Sequence, residues 1–286
     1  MSIPIHVQET ARSAKNAGKS ALLPLRHAPP PSILNVKERG AAGMKTGPSP
    51  KGLLMRRKVL SASAKAFLKY GYAKTSSRIV TELLGVCNGS PFYHYGNKEG
   101  VLLELAHQMF AGQFQTAEHL VGPDAGPLRL YAAETAVQLH IAELSEPLRE
   151  LYVTAYTLPS TSQYIHQGML PRLREIFGAY LTDTSDAALY ELELASAGVT
   201  RSFMAEPCVG VFTMERKLRR YLECCFRIYG VPPEDYGPVV EQTAGMDLAP
   251  AARRIVEWTV QQADQAFASV MADGSVPEPK PKPVLE

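Results

Sequence analysis

Apolar residues recur at three- and four-residue intervals from about residue 53 to residue 271, and the β-branched alternating runs that mark strands do not occur between them. Val59, Leu60, Ser63, Ala64, Phe67 and Leu68 share one stripe, with Arg56, Lys58, Lys65 and Lys69 mostly off it, so this segment is an amphipathic helix with a basic outer surface. Gly71 stands where a left-handed residue caps a helix, and Thr75-Ser76-Ser77 offers hydroxyl caps for a second helix. The second helix keeps Ile79, Val80, Leu83 and Leu84 on its apolar side and stops at Gly85-Val86-Cys87, a turn of helix-turn-helix length and chemistry. Ser90-Pro91 opens a short third helix, Phe92-Tyr93-His94-Tyr95, which Gly96-Asn97 closes before a long fourth one. The full pattern predicts helices over 53–70, 75–84, 90–95, 98–120, 127–144, 147–158, 161–181, 186–205, 212–229 and 250–271. The expected fold class is all-α: a three-helix DNA-binding domain with a helix-turn-helix, then a helical ligand-binding and dimerisation domain.

The two ends break the pattern. Residues 1–50 hold Pro29-Pro30-Pro31 and seven Lys/Arg against two acids, with too little apolar surface to offset the entropy of ordering. They are expected to be a disordered basic, proline-rich extension. Such an arm adds nonspecific DNA affinity or resembles a transit peptide in its bias; Met44 and Met55 also offer later starts. Residues 273–286 end in a polyproline-like tail, also expected to be disordered. Between them the expected division is a DNA-binding segment, 51–98, and a regulatory and dimerisation segment, 99–272.

Charge sharpens that division. The chain carries a net charge of only +2, but residues 51–98 hold nine Lys/Arg against Glu82 alone, and residues 99–286 hold 14 Lys/Arg against 25 Asp/Glu. A segment of +8 on a body of −11 suits a protein with one face that neutralises phosphates and a remainder that stays off the polyanion. Other classes lose ground. No run of about 18 apolar residues is present to span a bilayer, and a charged, then apolar, secretory leader is missing, so the expected compartment is the cytoplasm. Cys87, Cys208, Cys224 and Cys225 form no CxxC pair, and His140 and His166 read as ordinary histidines, so no metal is expected. A phosphate loop, a GxSxG elbow and an HExxH pair are all lacking, so neither an enzyme nor a cofactor is expected. A helical interaction scaffold remains the alternative, and it leaves the basic segment unexplained.

Candidate DNA-contacting residues follow from the third segment. Asn88, Gly89 and Ser90 are small enough for close approach to a groove, while Tyr93, His94 and Lys98 can donate to bases or phosphates. Thr75, Ser76 and Arg78 lie at the start of the second helix, where phosphate contacts are expected, and Phe92 and Tyr95 serve equally well as core wedges.

Arg57-Lys58-Val59-Leu60, Ala64, Ala66-Phe67-Leu68, Gly71-Tyr72, Thr75-Ser76, Gly85-Val86, Gly89-Ser90 and Gly96-Asn97-Lys98-Glu99 stand in the order and spacing of the TetR family's DNA-binding domain, which residues 51–103 resemble. Cys87, Thr81 and Pro91 depart from the family pattern. The resemblance implies a homodimeric, ligand-responsive regulator, usually a repressor, on a near-palindromic operator in double-stranded DNA. It places Thr75 and Lys98 on phosphates, Asn88, Gly89 and Ser90 at the recognition tip, and either Phe92 or Tyr93 against the DNA backbone.

The remainder is read by pattern. An effector pocket in this remainder is what the resemblance implies, and Tyr131, His140, Tyr152, Tyr156, Tyr164 and Phe203 are the candidates to line it for a small, largely apolar molecule. Ala195, Ala197 and Gly198 permit close helix approach, making 186–205 and 212–229 the candidate dimer bundle.

Overall fold

The computed structural model describes residues 50–86, 90–122 and 124–273, so the expected disordered ends and the tip residues Cys87, Asn88 and Gly89 lie outside the described residues. Among the described residues the chain is all-helical, with no strand beyond an isolated bridge between Val209 and Phe212. The helices are α1 (Pro50–Tyr70), α2 (Ser77–Leu84), α3 (Lys98–Val121), α4 (Pro127–Leu144), α5 (Glu146–Ala155), α6 (Pro159–Phe177), α7 (Asp186–Ala205), α8 (Met214–Ile228), α9 (Pro233–Ala244) and α10 (Ala249–Asp273). A five-residue 3₁₀ turn, Pro91–Tyr95, sits between α2 and α3.

Two cores organise these elements. The first joins Val59, Leu60 and Phe67 of α1, Val80 of α2, Phe92 of the 3₁₀ turn and Val101, Leu102 and Leu105 of α3, with Leu151 of α5 at its edge. We call the elements around it the head. α1 is buried on more than one side because α10 and α5 pack on it as well as α2 and the 3₁₀ turn. The second core centres on α4, whose residues Tyr131 to Ala142 are all buried. A helix enclosed all round shows little amphipathic periodicity, and α4 meets α3, α10, α5, α9, α6, α7 and α8. Tyr131, Phe177, Phe226 and Tyr229 form its aromatic centre, with Phe177 and Tyr229 stacked at 4.0 Å.

The sequence pattern missed α9. Pro233 lies in its first turn, where the missing N–H has no intrahelical partner to lose, and Pro238 inside it breaks the apparent pattern. Tyr236, Val239, Val240, Thr243 and Ala244 nevertheless bury one stripe at helical spacing. α2 begins at Ser77, two residues later than expected, because Thr75 belongs to the preceding turn.

A candidate nucleic-acid interface

α1 ends where the Gly71 N–H donates to the Phe67 carbonyl at 2.9 Å. Gly71 takes φ +83°, a backbone conformation that favours glycine, and a Cβ there would push against the Glu150 carboxylate. The α5 carboxylate is there for a reason: Glu150 Oε1 accepts from the Ala73 N–H at 2.7 Å and fixes the turn that leads into α2. Within that turn Thr75 is 1% exposed and its hydroxyl donates to the Gly71 carbonyl at 2.7 Å. Ser76 then caps α2, accepting from the Ile79 N–H.

The 3₁₀ turn is anchored by its first two and its last residue. Pro91 and Phe92 are buried in the head core. The Tyr95 hydroxyl donates to the Arg56 carbonyl at 2.9 Å, and the Arg56 guanidinium lies 4.8 Å from the centre of its ring. Burial pushes the Tyr95 hydroxyl well above the ordinary phenol range. Asn97 caps α3 through Gly100, and a Cβ at Gly100 would meet the Tyr95 carbonyl at 2.0 Å, so this glycine lets the turn close on α3. What the anchoring leaves outside is Tyr93, 81% exposed, and His94, which meets it edge-on at 5.8 Å.

Three of the expected contact residues have partners within the head. Thr75 cannot present its hydroxyl to a phosphate, since it is buried and committed to the Gly71 carbonyl. Phe92 is a core wedge, which of the two aromatics leaves Tyr93 outside. Lys98 Nζ donates to the Tyr72 carbonyl at 2.8 Å and the Thr75 carbonyl at 3.0 Å, and sits 4.2 Å from the centre of the Tyr72 ring. Desolvation lowers its pKa despite the nearby Glu150. Lys98 therefore staples the start of α3 to the turn before α2 with two of its three N–H donors. Ser76, Arg78 and Ser90 are exposed, Arg78 beside Glu82 at 2.8 Å, whereas Asn88 and Gly89 lie outside the described residues. Exposed Ser76, Arg78, Ser90, Tyr93 and His94 thus belong to two elements that pack together through Val80 and Phe92.

The six residues expected to line a pocket do not form one group. Tyr131 is in the aromatic centre, Phe203 packs edge-on against Tyr221, and Tyr164 stacks on His107 at 3.8 Å. His140 is buried near Glu143 and Asp247, and its Nε2 has no hydrogen-bond partner. Tyr152 and Tyr156 do belong together: the Gln113 amide donates to the Tyr152 hydroxyl, and the Tyr156 hydroxyl donates to Gln138 Oε1 at 3.2 Å. A small apolar cleft, partly open to solvent, lies elsewhere, between Leu68 of α1, Met109 of α3, Leu148 of α5 and Ile255 of α10.

Sequence reasoning missed Glu150, Gly100 and Glu99, whose Oε1 accepts from the Ser160 N–H at 2.7 Å. Glu150 and Glu99 act on residues 77 and 61 positions away, and no local signal announces such pairs. Gly100 sits one residue beyond the Gly96-Asn97-Lys98-Glu99 signature and was open to the same reading.

The described head is thus helices packed with a 3₁₀ turn around one small core, with Lys51, Arg56, Lys65, Lys69, Lys74 and Arg78 exposed on its outside. The chain is 40% identical over 57 residues to AcnR, an HTH-type transcriptional repressor of Corynebacterium jeikeium (strain K411). The shared stretch is 19% of this chain and 30% of that relative's length. No protein-family model and no solved structure matches the chain.

Proposed function

We propose that this chain is a TetR-type transcriptional regulator that binds double-stranded DNA through residues 51–98 and responds to an effector through residues 99–272. The observation that carries the reading is the third segment: its core wedges and its staple face inward, and Ser90, Tyr93 and His94 are what it offers outward. The likeness to a helix-turn-helix repressor supports it, as does the excess of Lys/Arg in this segment. As a homodimer, two such heads would read half-sites centred roughly 34 to 36 Å apart or a multiple of that. The outward stripe of α7, with Leu194 and Ala195 exposed and nothing within 4 Å of where a Gly198 Cβ would stand, supports α7 with α8 as the dimer face.

Selection of bound duplexes from a random library by the full chain tests this. The expected result is enrichment of a near-palindrome, with log affinity falling by about 0.9 per neutralised phosphate for each unit of log salt. Failure to bind any duplex at low salt would favour the interaction scaffold.

A further inference from the structure

The interior behind the seam of α3 and α6 holds a buried acid that makes no ion pair among the described residues, although the charge of Arg172 acts on it. Glu134 of α4 is 1% exposed, and its Oε1 accepts from Gln138 Nε2 at 2.5 Å. Gln138 in turn accepts from the Tyr156 hydroxyl, which fixes the amide's orientation and leaves Glu134 as the acceptor at the end of the chain. Gln113 of α3 is fully buried, bonded to Tyr152 through one end of its amide, while its amide oxygen has no hydrogen-bond partner. Tyr152 is close enough to Glu134 for their charges to interact. Burial of an ionised carboxylate without a partner costs several kcal/mol on the order-of-magnitude scale for such groups, and the group escapes that cost by holding a proton. Desolvation pushes the Glu134 pKa up to about 7, against the opposing charge of Arg172.

Flat ring contacts close the seam of α3 and α6. His107 of α3 stacks on Tyr164 of α6, and the Arg172 guanidinium of α6 lies 3.5 Å from the centre of the Phe114 ring of α3. Arg172 Nη2 and His107 Nε2 have no hydrogen-bond partners. Phe110 meets Tyr156 edge-on at 6.3 Å, so aromatic faces flank the route inward. We propose that this interior binds a protonated amine on an apolar, aromatic-sized frame, the ammonium group at Glu134 and Gln113 and the frame among Tyr152, Tyr156 and Phe110. An acid surrounded by π faces and amide acceptors favours a cation over a neutral or anionic ligand.

The proposal rests on the reading of the helical body as an effector-sensing unit. α3 carries both the seam and, at its start, the Lys98 staple, so an occupant that moves α3 from α6 acts on the head through one continuous helix.

Calorimetric titration of the full chain, without DNA, with 2-phenylethylamine, 2-phenylethanol and phenylacetate tests the chemistry. The amine should bind at least about tenfold more tightly than the alcohol, the ratio that a charge-assisted hydrogen bond supplies, and the acid should not bind. Glu134→Gln should remove the preference for the amine. Arg172→Met, which takes a positive charge from beside Glu134, should tighten amine binding several-fold. Facing Glu134 are Arg172 of α6 and Glu193 of α7, with Tyr152 of α5 and Tyr156 just after it, and Gln113 of α3 behind Tyr152. Amine affinity in the wild type should therefore rise from about pH 6 to about pH 8 as Glu134 ionises, the amine staying protonated throughout. No amine binding at millimolar concentration, equal affinity for amine and alcohol, or a preference that survives Glu134→Gln would overturn the proposal. A chain that binds a selected duplex but no amine sinks this inference alone, and one that binds amine but no duplex sinks the regulator reading alone.

Discussion

The head and the body bury polar groups in opposite ways. Among the described residues of the head the buried polar side chains are the small hydroxyls of Ser61, Ser63 and Thr75, and Thr75 satisfies itself on a carbonyl four residues back. In the body they include Gln113, Glu134, Gln138, Glu193 and Lys217, whose partners mostly come from other helices. Lys217 of α8, fully buried, holds Glu143 of α4 at 2.5 Å and the Glu206 carbonyl. Glu193 of α7 holds His166 of α6 and the Tyr229 hydroxyl. A core of the first kind is a fixed platform that turns its chemistry outward. One of the second kind keeps charge inside, where protons and ligands can act on it.

The comparison breaks first at Phe92, the wedge that joins the 3₁₀ turn to the head core. Phe92→Ala removes a buried aromatic, a change that costs about 3–5 kcal/mol in well-packed sites. Urea unfolding should show that loss, and a change below about 1 kcal/mol would mean the turn is not held by its wedge.

The body should instead reveal itself through pH. The Glu134 carboxyl has an unfolded value of 4.5 and a native one of about 7, so the native state binds its proton more tightly. Its contribution is fully present below about pH 4.5 and is lost as pH rises through about 7, up to about 3 kcal/mol in all. The urea midpoint of the wild type relative to that of Glu134→Gln should fall between about pH 5 and about pH 8, the shared titration of His107 and His140 cancelling in the difference. An identical slope in the variant would place the buried titration elsewhere.

The same contrast explains what the sequence made legible. The α1 stripe of Val59, Leu60, Ala64 and Phe67, the caps at Gly71, Ser76 and Asn97, and the limits of α4 and α7 follow from local rules, and the structure has them. Periodicity alone assigns polar residues outward, so it had no means to put Gln113, Glu134 and Lys217 inside. The recognition face was legible as a segment but not side chain by side chain. Which of Phe92 and Tyr93 points outward depends on packing against α1 and α3, and the Lys98 staple depends on a turn 23 to 26 residues earlier.

A smaller effect is expected where the two regions touch. Glu150→Gln weakens the bond from the Ala73 N–H by replacing a charged acceptor with a neutral one, a loss on the order of 1 kcal/mol. Native-state hydrogen exchange should show faster exchange at Ala73 with little change at Leu139 in the buried centre of α4. Equal acceleration at both would mean that Glu150 supports the whole chain and not the turn.

The central claim is that the exposed pair beside the stapled turn reads DNA. It is tested most directly by fluorescence anisotropy of a selected duplex and a scrambled one against the wild type and the double variant Tyr93→Ala, His94→Ala. Both side chains are exposed and outside the head core, so the variant should unfold like the wild type. The account predicts that the wild type prefers the selected duplex by at least about tenfold, the scale of one lost base contact. The double variant should lose that preference while keeping salt-dependent binding to both duplexes. A double variant that discriminates as well as the wild type would contradict the account.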